Sequence, residues 1–267
     1  MTLKTSTVKE HIHLNDEFNA HNYHPLPVVL SHGEGVFLWD VDDRKYYDFL
    51  SAYSAVNQGH CHPRIVNALT EQAKKLTLTS RAFHNDQLGR YAKYITDYFS
   101  FDRVLPMNTG AEGVETALKI ARKWGYEKKG IPKNEAKIVV CENNFHGRTI
   151  TVISYSSSEK SKKNFGPHTP GFETIPYNDP EALEKILDEE GSHIAGFLVE
   201  PIQGEAGVVV PDDDYLSKAA ELCHKHDVLF IADEIQTGIA RTGSLLAACG
   251  DCSCSEHCER QSSYTKP

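Results

Sequence analysis

From residue 136 onward the chain alternates short apolar runs with amphipathic stretches of helical period. AKIVVCEN (136–143), IAGFLVEP (194–201) and VLFIADE (228–234) are brief and nearly unbroken in apolar character. Runs of that length suit strands buried on both faces. TITVISY (149–155), rich in β-branched residues, reads as a further strand. Among these runs lie two helical stretches, DPEALEKILDEEG (179–191), with a proline at its start and a glycine at its end, and DDDYLSKAAELCHKHD (212–227). Upstream, Val114, Ala117, Leu118 and Ala121 recur at i, i+3, i+4, i+7 and mark another helix, preceded by RVLPMNTG (103–110) as a short strand ending in a glycine turn. Nearer the N-terminus, GVFLWDVDDRKYYDFL (35–50) predicts a hairpin turning at Asp42 and Asp43, and HPRIVNALTEQAKKL (62–76) predicts a helix. Strands separated by helices imply βαβ units and a mostly parallel sheet, an α/β fold without internal repeats.

Composition narrows the function. The 267 residues are 40% hydrophobic and 24% charged, ordinary for a globular protein. A formal net charge of −9 leaves no basic excess for a general nucleic-acid or anionic-membrane partner. No apolar run reaches the roughly 18 residues of a membrane span. The opening MTLKTSTVKEHIHL has no apolar core, and Glu10 breaks any basic character, so a cytoplasmic protein is expected. Cys61, Cys141 and Cys223 are scattered as reduced thiols would be, whereas Cys249, Cys252, Cys254 and Cys258 crowd together around His257. Zinc ligation is one reading of that cluster, although C-x₂-C-x-C-x₃-C is not a usual structural-zinc spacing, and no metal site is predicted.

Four stretches carry candidate chemistry. In MNTGAEGVETALKIARKW, Thr109 and Glu112 form a capping box, and Gly110 would let first-turn amides approach an anion; a merely well-capped helix explains the same residues. In NNFHGRT (143–149), Phe145 or His146 could stack on a ring and Arg148 could grip a carboxylate; a solvated surface loop is the alternative. In LVEPIQGEAGVVVP, Glu200 stands at a strand end before Pro201, which fits a strand exit equally well. In VLFIADEIQTG (228–238), Asp233 ends an apolar strand, a costly place for a carboxylate unless a cation or protonated base meets it.

Taken in order, these motifs resemble the class-III, fold-type-I aminotransferases that use pyridoxal 5'-phosphate. The likeness runs from about Tyr23 to Gly243, and HNYHPLPV and SAYSAVNQGHCHP resemble the ornithine branch rather than the acetylornithine or 4-aminobutyrate branches. The resemblance implies a fold-type-I large domain in which Gly110 and Ala111 give amides to the cofactor phosphate. Phe145 would stack on the pyridine ring, Asp233 would pair with the ring nitrogen, and Gln236 would hydrogen-bond the phenolic oxygen. Arg148 would hold the α-carboxylate of ornithine, Tyr23 and Tyr53 would shape its pocket, and Glu200 would act as a gate carboxylate. The implied reaction is L-ornithine plus 2-oxoglutarate to L-glutamate 5-semialdehyde plus L-glutamate, feeding proline and arginine metabolism. The implied partners are a small amino acid and a 2-oxo acid, and the complete protein would be a homodimer or larger homo-oligomer.

The sequence departs from the family near its C-terminus. The family's Schiff-base lysine lies on the strand after the Asp strand, and only Lys266, in SSYTKP, follows Asp233 here. Lys266 lacks an apolar strand around it, so no catalytic residue is assigned and the chain alone is expected to be inactive and prone to aggregation. The expected organisation is an N-terminal segment with a hairpin (1–55), an incomplete cofactor-binding large domain (56–243) and a divergent Cys/Ser-rich tail (244–267), with the small C-terminal domain absent. The tail reads as an insertion in a fragment, as out-of-frame or alternatively spliced sequence, or as a zinc site. A truncated chain that pairs with full-length subunits without catalysing anything is the alternative function.

Overall fold

The computed structural model describes residues 7–249, which fall into two compact units divided between Asp86 and Gln87. Residues 250–267 of the Cys/Ser-rich tail, Lys266 among them, lie outside the described residues.

In the first unit, helix α1 (Val8–Phe18) is started by Thr7, whose side chain accepts the Glu10 amide while Glu10 caps in return. An antiparallel sheet follows in the order β1 (Leu30–Glu34), β2 (Phe37–Asp40), β3 (Lys45–Tyr47). The expected hairpin is the β2–β3 pair. Asp40 fixes its turn, accepting the amides of Asp42 and Arg44 on one oxygen and the Tyr46 hydroxyl on the other. A four-residue helical turn, α2 (Ser51–Ser54), has left-handed backbone at all four positions. Asp48 anchors it by accepting the Leu50 and Ser51 amides and binding His60 at 2.7 Å. The predicted helix is α3 (Pro63–Ala73), with proline in its first turn where no amide is needed.

The second unit opens with α4 (Leu88–Phe99) and α5 (Gly110–Trp124), then β4 (Lys137–Cys141), α6 (Ile150–Ser154), α7 (Glu159–Lys162) and β5 (Phe172–Ile175). It continues with α8 (Pro180–Glu190), β6 (Ile194–Val199), α9 (Tyr215–Lys225) and β7 (Leu229–Ala232). The four strands make one parallel sheet in the order β5-β4-β6-β7. Because strand side chains alternate, the unbroken apolar runs supply both faces. Val139, Cys141, Phe197 and Val199 pack on one side with Leu183 and Leu187 of α8 and Tyr215, Ala219 and Cys223 of α9. Ile138, Val140 and Leu198 pack on the other with Val114, Leu118 and Ala121 of α5 and Val152 of α6. This is the expected α/β class.

Two expected strands do not form. Residues 103–109 have no ladder partner, and a strand exists only through such a partner. Residues 150–154 are helical although four of the five are β-branched. The preference of Ile, Thr and Val for strands reflects packing on a half-buried pleated surface. Here the chain leaves β4 toward the cleft and returns as α6, which buries Val152 and Ile153 and leaves Ile150 exposed. The strand that does flank β4 is β5, from FETI, too short and too polar to stand out in the sequence.

The expected capping box at α5 is present: Thr109 accepts the Glu112 amide at 3.1 Å, and Glu112 accepts the amides of Thr109 and Asn108. Thr109→Ala is therefore expected to lower stability by about 1 kcal/mol, read from chemical unfolding; an unchanged midpoint would show that the cap contributes nothing.

Candidate active site

A parallel sheet delivers the carboxyl ends of its strands to one edge. The segments leaving β4 (142–147), β6 (200–203) and β7 (233–236) meet there with the N-terminus of α5. They line a cleft with about 430 Å³ not filled by protein atoms, part of it open to solvent. Gly110, Ala111, Phe145, Glu200, Asp233 and Gln236, all singled out in the sequence, line it together, joined by His146, Gly147, Ile202 and Ile235.

The amides of Gly110 and Ala111, at the first two positions of α5, have no acceptor within the helix. Thr109 and Glu112 serve the neighbouring amides, so the capping box leaves that end of the helix directed at the cleft. Backbone approach is close: a Cβ on Gly110 would lie 2.8 Å from Ile235 Cδ1. Gly147 takes φ +123°, and a Cβ there would press on Ala111 at 3.1 Å.

Asp233 sits directly after β7, its side chain only 5% exposed. His146 Nδ1 donates to Asp233 Oδ2 at 2.6 Å, and the Ile235 amide donates to Oδ1 at 3.1 Å. The buried carboxylate thus has the basic partner that the sequence demanded, in a histidine first weighed as a stacking residue. The ring of His146 stands 6.0 Å from that of Tyr155, which packs in turn on Phe172. His146 Nε2 and the Tyr155 hydroxyl are buried with no hydrogen-bond partner among the described residues. Burial and nearby carboxylates push the Tyr155 hydroxyl pKa upward.

Glu200 follows β6 and is buried, 7% exposed. Its Oε2 accepts the Phe145 amide at 3.0 Å. Burial, the largest influence, lifts its carboxyl to about 7; the charge of His146 and the amides of Phe145 and Gly204 pull it down, and Asp233 pushes it up. A gate needs a carboxylate free to exchange partners, and this one is engaged inside the protein. The Gln236 amide approaches Glu205, with Nε2 at 3.5 Å from Oε1, and fills the space a side chain on Gly204 would need.

Arg148 is not part of the cleft lining; its guanidinium carbon lies 5.8 Å from the Phe145 ring centre. Tyr23 and Tyr53 belong to the first unit, both exposed, with Tyr53 on the left-handed turn α2. Among the described residues no group of three or more His, Cys, Asp or Glu side chains is placed to hold a metal.

Residues 18–251 match the family Aminotransferase class-III. The chain belongs to the class-III aminotransferases. Among its relatives, "Ornithine aminotransferase, mitochondrial" of Drosophila ananassae is 62% identical over 232 residues, covering 87% of this chain and 53% of the relative. "Ornithine aminotransferase" of Emericella nidulans is 60% identical over 249 residues, covering 90% and 55%. The solved ornithine aminotransferase of Toxoplasma gondii superposes with a TM-score of 0.89 at 52% identity, over 92% of this chain and 58% of that one. The acetylornithine aminotransferase of Elizabethkingia anophelis superposes with a TM-score of 0.80 at 60% identity, over 91% and 57%. This class-III chain spans about half the length of the curated relatives it matches. Pyridoxal phosphate is the cofactor of the family, and a second Toxoplasma gondii structure is described with partial occupancy of it at the active site. The cleft fits that group: free amide donors suit a phosphate, an aromatic face suits a flat ring, and a buried, oriented carboxylate suits a protonated ring nitrogen.

Proposed function

We propose that the cleft is the pyridoxal-phosphate site of an ornithine δ-aminotransferase. The observation that carries this reading is Asp233, held at both oxygens at the end of β7 in a cleft shared with Phe145 and the start of α5. Gly110 and Ala111 would hold the phosphate, Phe145 would face the ring, and Gln236 would bond the phenolic oxygen. When bound, the cofactor supplies an electron sink for the pair left as a proton leaves the amino-bearing carbon. Asp233 sustains that capacity by keeping the ring nitrogen protonated. We assign Arg148 to the donor carboxylate, and Tyr23 and Tyr53 to donor selection on the sequence resemblance alone. The whole protein would be a homo-oligomer, at least a dimer, acting on ornithine and 2-oxoglutarate.

Cofactor binding is tested by titrating the purified chain with pyridoxal phosphate and following tryptophan quenching. Saturable binding that resists a phosphate-free analogue is expected, and absence of saturation would overturn the reading. The substrate is tested by joining this segment to the remaining half of the Emericella nidulans relative and comparing amino donors. Ornithine is expected to outpace acetylornithine. The reverse order would favour an acetylornithine enzyme, the reading that the Elizabethkingia anophelis neighbour supports. The Drosophila ananassae relative is mitochondrial by name, whereas we propose a cytoplasmic location for this protein. Co-fractionation of a tagged chain with mitochondria would overturn that.

A further inference from the structure

We infer that Glu200 is a positioning residue: its side chain latches the loop after β4 to the end of β6, and so sets the height of the Phe145 ring over the cleft. The inference rests on the cofactor reading above for its consequence but not for its geometry.

Two buried side chains cross between these segments. Glu200 Oε2 accepts the Phe145 amide across 55 positions of sequence, and Gln203 Nε2 donates to the Glu142 carbonyl at 2.7 Å across 61. Together they hold the loop at its start and at the residue that carries the ring. Neither β4 nor β6 provides a ladder bond there, because both strands end before it: β4 at Cys141 and β6 at Val199. Inside the loop, Asn144 folds back on the Cys141 carbonyl, which leaves the Phe145 amide pointing outward to the acceptor that Glu200 supplies. Glu200 itself cannot drift, since its backbone carbonyl and that of Pro201 both accept the Tyr177 hydroxyl, at 3.1 and 3.0 Å.

What the latch requires is an acceptor oxygen at the end of a side chain of this length. A charge is not required, because an amide oxygen accepts an N–H as a carboxylate does. A gate or a charge partner would have the opposite requirement.

The test separates length from charge. Glu200→Gln keeps the reach and the acceptor but removes the charge, and Glu200→Asp keeps the charge but withdraws the acceptor by one methylene. Hydrogen exchange of the Phe145 amide is read in the ligand-free chain, with the Val139 and Val140 amides as the control for an intact sheet. Phe145 protection is expected to survive in Glu200→Gln and to fall about tenfold in Glu200→Asp. Affinity for pyridoxal phosphate should follow, within about threefold of wild type for Gln and about tenfold weaker for Asp. Protection retained in Asp and lost in Gln, or the same behaviour in both, would overturn the latch. A wild-type chain that shows the protection pattern yet binds no cofactor would leave the latch standing and overturn the cofactor reading instead.

Discussion

Replacing Asp233 by Asn is expected to weaken pyridoxal phosphate binding by about a hundredfold, roughly 3 kcal/mol. The carboxylate is 5% exposed and each oxygen already accepts one donor, His146 on Oδ2 and the Ile235 amide on Oδ1. Those donors fix its plane and leave the remaining lone pairs for a ligand. A protonated ring nitrogen arriving there meets a buried acceptor, where a charge-assisted bond is strong. Asn occupies the same volume but offers one acceptor oxygen and no charge. A neutral ring then becomes the better fit, and the electron-withdrawing form is lost. Its side chain can satisfy only one of the two donors, so the ligand-free chain should lose no more than about 1–2 kcal/mol of stability. Titration of both proteins at the same pH checks this; equal affinities would remove Asp233 from the cofactor's partners.

The second large effect is on stability, and it depends on pH. Burial raises the Glu200 carboxyl from its ordinary value of 4.5 to about 7. The folded state therefore holds the proton to higher pH than the unfolded chain does. Stability from this group is intact below about pH 4.5, falls as pH rises toward 7, and stays at its reduced level above that. A difference of roughly 2.5 units corresponds to about 3 kcal/mol at pH 8. His146 and Asp233 face Glu200 and are present in both wild type and Glu200→Gln. Glu200→Gln is expected to unfold with nearly wild-type stability at pH 4.5 and to be the more stable protein at pH 8. Chemical unfolding at pH 4.5, 6, 7 and 8 measures the difference, and parallel pH profiles for the two proteins would refute the buried-acid account. The gain in stability leaves the acceptor in place, which is why the same substitution is expected to preserve the Phe145 latch.

Much of the site was legible along the chain, because its residues sit at positions that leave local marks. Asp233 and Glu200 directly follow apolar runs, and the runs are strands β7 and β6. Thr109 and Glu112 announce the start of α5 by their spacing, and the capping box is formed. The apolar runs themselves fixed an α/β architecture, since strands apolar at successive positions must be covered on both faces. The capping signal in TVKE that starts α1 was equally available, as local as that of α5.

What the tertiary structure decided are the relations across sequence distance. His146 and Asp233 are 87 positions apart, Phe145 and Glu200 are 55, and no periodicity connects them. The resemblance implied a gate at Glu200, and in the fold its carboxyl is buried and accepts the Phe145 amide, because burial and partner choice are properties of the assembled site. TITVISY was misread for the same reason: local propensity favoured a strand, and the space beneath β4 favoured the helix α6. The linear pattern determined where β4, β6, β7, α5, α8 and α9 would form and which side chains would stand at the ends of β6 and β7. Packing of the sheet determined which of those side chains would meet, and their burial determined which hydrogen bonds they would make.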